Sequence, residues 1–216
     1  MGKACLPLLF CLCVFASCSP RLITRGVKDK TSNYIVDNKG KHVNTSSLRM
    51  LGDAVMTDTT TYPLTSLSAV KQGQAYYGIK DGNYYDGVYY GKLMLLRRYA
   101  GRSYDMQTHA SHSVYNYYLQ KADQPEIIDL TGRNLVESVR DNPLALRKAR
   151  ASRIYANISI VSAATAITGL SCVFLPYSSP IRKTAVTVGL FSMPTFLITL
   201  PIASHKRYKT IIVYNR

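Results

Sequence analysis

The chain has 216 residues, 47% of them hydrophobic, no tryptophan, and a formal net charge of +15. That length allows one or two domains with a modest core, and this composition excludes a disordered or fibrous chain. The mean hydropathy of -0.04 resembles that of a soluble protein only because two apolar ends flank a polar, tyrosine-rich middle.

The chain opens MGKACLPLLFCLCVFASC, with one cation at Lys3, an uncharged run, and the small residues Ala16 and Ser17 before Cys18. This is the layout of an export signal, and the run is short for a membrane span. Phe15-Ala16-Ser17-Cys18 resembles the lipobox of bacterial lipoproteins, with Phe15 where Leu is usual. The expectation is a lipoprotein-type signal peptide over residues 1–17 and lipid attachment, palmitate included, at Cys18. The competing reading is an uncleaved anchor. Residues 18–30 then form a basic, lipidated linker. Cys5, Cys11, Cys13 and Cys18 all fall in the leader, and only Cys172 lies elsewhere, so no disulfide framework or cysteine metal cluster is expected.

Residues 31–130 carry strand patterns and are expected to form a β-rich extracytoplasmic domain. Tyr76-Tyr77-Gly78-Ile79 and Asn83-Tyr84-Tyr85 flank Lys80-Asp81-Gly82, whose Asp-Gly pair signals a tight β-hairpin. Further strands are expected at 34–36, 53–56, 88–97 and 114–121. The paired tyrosines at 76–77, 84–85, 89–90 and 117–118 should split between the two faces of a sheet, which makes most of them ordinary sheet residues rather than a recognition face.

A helical neck comes next over 131–153. Asn134, Leu135, Val136 and Val139 suit a short helix, Asn142-Pro143 reads as an N-cap with proline at the first helical position, and 144–153 supplies a basic helix. Two uncharged runs, 154–175 and 184–204, are each about 30 Å long as helices, enough to cross a bilayer core. Tyr177-Ser178-Ser179-Pro180 turns between them, which makes 154–204 a transmembrane helical hairpin; the competing reading is a buried helical pair in a globular domain. Small hydroxyl residues recur at 159, 162, 165, 168 and 171, and Pro194 and Pro201 predict a kink or an early end in the second run. A basic tail, 205–216, ends the chain.

Arg147, Lys148, Arg150 and Arg153 precede the hairpin and Lys206, Arg207 and Lys209 come after it, against Arg182 and Lys183 in the turn. Positive charge alone would place both outer flanks in the cytoplasm, whereas the export signal places the middle domain outside. The signal carries more weight because it commits the downstream chain to translocation. The basic flanks then point to anionic lipid headgroups rather than to nucleic acid, which an exported domain rarely meets.

The stretch Gly91-Lys92-Leu93-Met94-Leu95-Leu96-Arg97-Arg98, the run Tyr117-Tyr118-Leu119-Gln120-Lys121, the helix start Asp141-Asn142-Pro143 and the ending Tyr214-Asn215 together resemble a family of uncharacterised envelope (lipo)proteins of Bacteroidota. The similarity spans most of the mature chain, and the hairpin departs from the family pattern in having less glycine. It implies a shared α+β architecture, a small antiparallel β-domain followed by a helical neck and a two-helix hydrophobic hairpin. It carries over no catalytic residue.

Chemistry is sparse. His109-Ala110-Ser111-His112 is the only local histidine pair, and Asp105, Ser111 and His112 could in principle supply a hydrolase triad, but there is no Gly-x-Ser-x-Gly elbow and no supporting ligand set. The glycines at 73, 78, 82, 87 and 91 lack a phosphate-loop context. No catalytic, cofactor or metal residue is assigned. The expected function is that of a membrane-attached bacterial envelope protein, a non-catalytic scaffold or accessory interaction subunit with its β-domain on the periplasmic side. Its expected partners are membrane lipid and an envelope protein complex. The alternatives are an envelope hydrolase using the His109/His112 loop and an accessory subunit of a transport or secretion complex.

Overall fold

The computed structural model describes residues 32–106, 109–122, 124–174, 176 and 179–216. The expected signal peptide, the Cys18 lipid site and the whole of the 18–30 linker therefore lie outside the described residues. The fold is α+β, as the strand and helix patterns require.

Among the described residues, eleven strands come first in the chain: β1 (Asn33–Asp37), β2 (His42–Thr45), β3 (Leu48–Met50), β4 (Ala54–Thr57), β5 (Thr61–Pro63), β6 (Leu67–Gln72), β7 (Ala75–Lys80), β8 (Asn83–Tyr89), β9 (Leu93–Asp105), β10 (Ala110–Lys121) and β11 (Ile127–Asp129). Eight of them form one antiparallel sheet in the order β11-β10-β9-β8-β7-β6-β1-β2, and β3-β4-β5 form a second, smaller one. The β7–β8 hairpin turns where its sequence requires. Lys80 pairs with Asn83, and Asp81 and Gly82 both adopt positive φ, 53° and 67°, the twist that a two-residue hairpin needs. The expected single strand over 88–97 is instead broken. β8 ends at Tyr89 beside a register shift and β9 begins at Leu93, so Gly91 and its neighbours form a bend that turns the chain back on itself.

The sheet is buried on both sides, and β9 records this as four consecutive buried residues, Leu93 to Leu96. Leu93 and Leu95 face one core, with Leu119, Leu135, Val139, Ala145, Ala149 and Ile211. Met94 and Leu96 face another, with Tyr76, Tyr85 and Ile127. The sheet curls around this second core until β11 approaches β7: a Cβ on Gly78 would lie 2.6 Å from Leu96 Cδ1 and 2.8 Å from Ile127 Cδ1. Any larger residue there must displace both side chains from the core. Lys80 Nζ, 2.9 Å from the Ile127 carbonyl, and Tyr76 Oη, 3.0 Å from Gln120 Oε1, donate hydrogen bonds across the curl. The small sheet covers a third core of Ile35, Val55, Leu64, Leu67, Val70 and Ile79.

All four tyrosine pairs divide between faces as the period of two demands. Tyr76, Tyr85, Tyr90 and Tyr118 join the concave core, while Tyr89 and Tyr117 pack beneath the helices. Tyr77 meets Tyr84 edge to face on the convex side, with ring centroids 6.1 Å apart.

Three helices then complete the described residues: α1 (Gly132–Ser138), α2 (Pro143–Ser171) and α3 (Pro180–Tyr214). Thr131 caps α1 by accepting the Asn134 amide, and Asn142 caps α2 by accepting the Ala145 amide, both at 3.1 Å. Seven residues make too short a helix to stand alone, and α1 is held by Leu135 and by Val139 just beyond it, both fully buried against the sheet. α2 runs from the basic neck into the first apolar run without a break. α3 continues through Pro194 and Pro201, so the early end that these prolines suggested does not occur. In the basic C-terminal segment, residues 205–214 are the last turns of α3, and Ile211 and Tyr214 are buried in the core beneath the sheet.

Candidate membrane interface

The two long helices have unlike ends. At the root, the first turns of α2 and the last turns of α3 pack on the β-domain through Ala145, Ala149, Ile211 and Tyr214. Beyond the root the pair carries its large apolar side chains outward. Ile154, Ile160, Val161, Ile167 and Phe174 on and just after α2 are exposed, as are Ile181, Leu190, Phe191, Ile198 and Leu200 on α3. An exposed apolar surface of this kind marks an interaction site for lipid or for another protein. Both helices, Pro143–Phe174 and Ile181–Tyr214, are long and apolar enough to cross a membrane.

The residues turned inward are small. Ser152, Ser159, Ala166 and Gly169 are buried on α2, as are Gly189, Thr199, Ala203 and Thr210 on α3. A Cβ on Gly169 would overlap the Ala185 carbonyl and lie 2.7 Å from Gly189 Cα. The two backbones touch there, a close approach that small residues permit and that favours association in lipid. Of the recurring hydroxyls only Ser159 is buried in this seam, and Thr168 and Ser171 are exposed. Three hydroxyls outside the seam are satisfied within their own helix: Thr165 donates to the Val161 carbonyl, Thr187 to that of Lys183 and Ser192 to that of Val188, at 2.8 to 2.9 Å. A hydroxyl bonded in this way can face hydrocarbon without leaving its donor unpaired.

Cations ring the root. Arg147, Lys148, Arg150 and Arg153 come from α2, and Lys206, Arg207 and Lys209 from α3, and the chain has no Asp or Glu after Asp141. Among the described residues the ion pairs are Arg97 with Asp86 and Arg140 with Glu137, neither of which involves this ring. Lys206 instead lies over the Tyr155 ring, 5.2 Å from its centroid, an amphipathic pair suited to a membrane boundary. Lys148, Pro201, Ile202, His205, Lys206 and Lys209 line a cavity of about 470 Å³ at this level.

The histidine constellation falls elsewhere. His109 and His112 sit near the tip of the β9–β10 hairpin, both exposed. Asp105 lies opposite Ala110, Ser111 opposite Tyr104, and His112 opposite Ser103. The Tyr104 hydroxyl is 3.0 Å from His109 Nδ1. Asp105, Ser111 and His112 are thus strung along the hairpin rather than converging in a cleft, and the described residues contain no group of three potential metal ligands. Beyond the sheet's covered part this hairpin is largely exposed, with Tyr99 over half exposed and packed edge to face on Tyr115, and with the Arg97 guanidinium 4.5 Å from the Tyr115 centroid.

Inside the curl, Tyr34 and Tyr90 share a hydroxyl hydrogen bond of 2.9 Å, and Lys71 Nζ, buried, donates to Ser32 Oγ at 2.6 Å. Burial, reinforced by the neighbouring Tyr90, raises the Tyr34 phenol far above its usual range, and burial raises that of Tyr76 too. Both stay protonated, and Tyr76 donates to Gln120.

Compared with known proteins, the chain matches no protein family, no curated protein and no solved structure.

Proposed function

We propose that this chain is a membrane-attached bacterial envelope protein that acts as a non-catalytic scaffold or accessory subunit. In this reading the α2–α3 pair is the anchor and the β-domain is the working part. The observation that carries it is the helical pair itself, with small residues in its seam and large apolar side chains outside. With both helices crossing, the β-domain and the tip bearing Arg182 and Lys183 lie on opposite sides of the bilayer. The signal layout at 1–17 then assigns the β-domain to the periplasmic side, with acylated Cys18 as a second anchor.

The exposed length of the β9–β10 hairpin is the natural contact surface for an envelope partner. Tyr99, Tyr104 and Arg102 on one strand present the aromatic and guanidinium side chains that recur at protein interfaces. The hydrolase alternative requires His109 or His112 in a concave site beside Asp105 or Ser111, and their exposed positions lend it no support. The transport alternative requires the helical pair to oligomerise, since two helices enclose no pathway.

Intact mass with membrane fractionation of wild type and Cys18→Ala tests the proposal. The expected result is a mature mass beginning at acylated Cys18 in wild type, its loss in the variant, and carbonate-resistant membrane retention of both. An unprocessed mass in both proteins defeats the lipoprotein part, and carbonate extraction of the variant defeats the helical anchor.

A further inference from the structure

The cavity at the hairpin root has the composition of a two-part binding site. On α3, Ile202, His205, Lys206 and Lys209 have the spacing of one helix face, three and four residues apart, and Lys148 reaches the same space from α2. Three lysines therefore line a cavity of about 470 Å³, the Lys206 ammonium at its border over the Tyr155 ring, and neither helix carries a carboxylate. Like charges so placed repel, and the repulsion is relieved when an anion sits among them. The lining changes character along the helix axis: Pro201 and Ile202 belong to the apolar run, while Lys206 and Lys209 lie beyond it.

We propose that this cavity binds the phosphate headgroup of an anionic phospholipid of the same bilayer, with the lipid's acyl part lying against Pro201 and Ile202. A free phosphate would satisfy the ammonium groups but leave the apolar lining unused; a phospholipid satisfies both. The mixed lining, polar at one end and apolar at the other, also matches the boundary between headgroups and hydrocarbon at which the root would stand. The inference rests on the membrane-anchor reading and adds to it a specific lipid site.

The test is native mass spectrometry of the full-length, delipidated protein in detergent, titrated with phosphatidylglycerol or phosphatidylcholine of identical acyl chains. Wild type is expected to retain phosphatidylglycerol preferentially. Substituting Lys148→Gln, Lys206→Gln and Lys209→Gln together should weaken that preference by about a hundredfold, given about fivefold for each lysine beside an anionic surface. The same three positions changed to Arg should keep it. So should Lys39→Gln with Lys41→Gln and Arg49→Gln, which removes equal charge from the exposed β-domain surface.

The single exposed variant Lys209→Glu provides the same reading should the triple variant not fold. Equal loss of preference in the β-domain control assigns the effect to bulk charge and overturns the site, as does an undiminished preference in the Gln variants. Displacement of the lipid by millimolar inorganic phosphate overturns the lipid assignment. Wild type extracted by carbonate defeats the anchor reading itself, whereas carbonate-resistant protein without lipid preference defeats only this inference.

Discussion

The side-chain amide of Asn215 pairs with the backbone of Leu93 as a strand residue would: Asn215 Oδ1 accepts the Leu93 amide and Asn215 Nδ2 donates to the Leu93 carbonyl, both at 2.8 Å. Leu93 begins β9 just where β8 has ended, so its backbone groups have no neighbouring strand on that side. Asn215, the residue that ends α3, supplies the missing partner, and Tyr214 adds a 2.8 Å hydrogen bond to Asp141 Oδ2 just before α2. One end of the helical pair is thereby fixed to the sheet.

Asn215→Ala is expected to lower stability by about 1–3 kcal/mol, because it leaves two buried backbone groups without partners. Gly91→Ala should act in the same direction, since a Cβ there would overlap the Asn215 amide. A thermal melt in detergent followed by circular dichroism checks both, and unchanged midpoints would show that the amide clasp holds nothing.

In the seam, Gly169→Leu must push the α3 backbone away from α2. It should cost about 1–3 kcal/mol, as overpacking does. Ile167→Leu, at a side chain 70% exposed two residues away, should leave the same melt unchanged. Equal behaviour of the two variants would contradict the close helix crossing.

Asp58 anchors the small sheet to the strand before it. Its carboxylate accepts from the Ser46 amide and hydroxyl, the Ser47 amide and the Thr45 hydroxyl at 2.6 to 2.9 Å. These hydrogen bonds, those from Ser46 foremost, hold the carboxyl well below the usual carboxylate range. A depressed value means that the contribution is complete above the unfolded-state value near about 4 and is lost only as pH falls through the lower, folded one. Exchange of the Ser46 and Ser47 amides should therefore stay protected at pH 4, whereas Asp58→Asn should expose them already at neutral pH. Loss of protection between pH 6 and pH 4 in wild type would refute this.

Local chemistry was open to reading from the sequence. The Asp81-Gly82 turn, the Asn142-Pro143 cap and the apolar runs of the helical pair depend on near neighbours, and each lies where its residues indicate. The alternation of the tyrosine pairs comes from the geometry of a strand and needs no partner to be known. β6 escaped notice because Leu67–Gln72, buried almost throughout in mid-sheet, lacks the alternating pattern of a half-exposed strand. The strands β3, β5 and β11, three residues each, are too short to show a period, and the four-residue β2 has Val43 as its one apolar side chain, unlike the equally short β4.

A β-domain, a capped basic neck and two bilayer-length apolar segments are legible in the residues alone, because turn preference, helix capping and transfer from water are properties of short stretches. Packing alone brings the final residues onto the core, Asn215 to the backbone of Leu93, and Lys148 to the same cavity as Lys206 and Lys209. It also leaves His109 and His112 at an exposed tip. Those outcomes depend on groups far apart in the chain, whose approach is set by how the curled sheet and the two helices pack together.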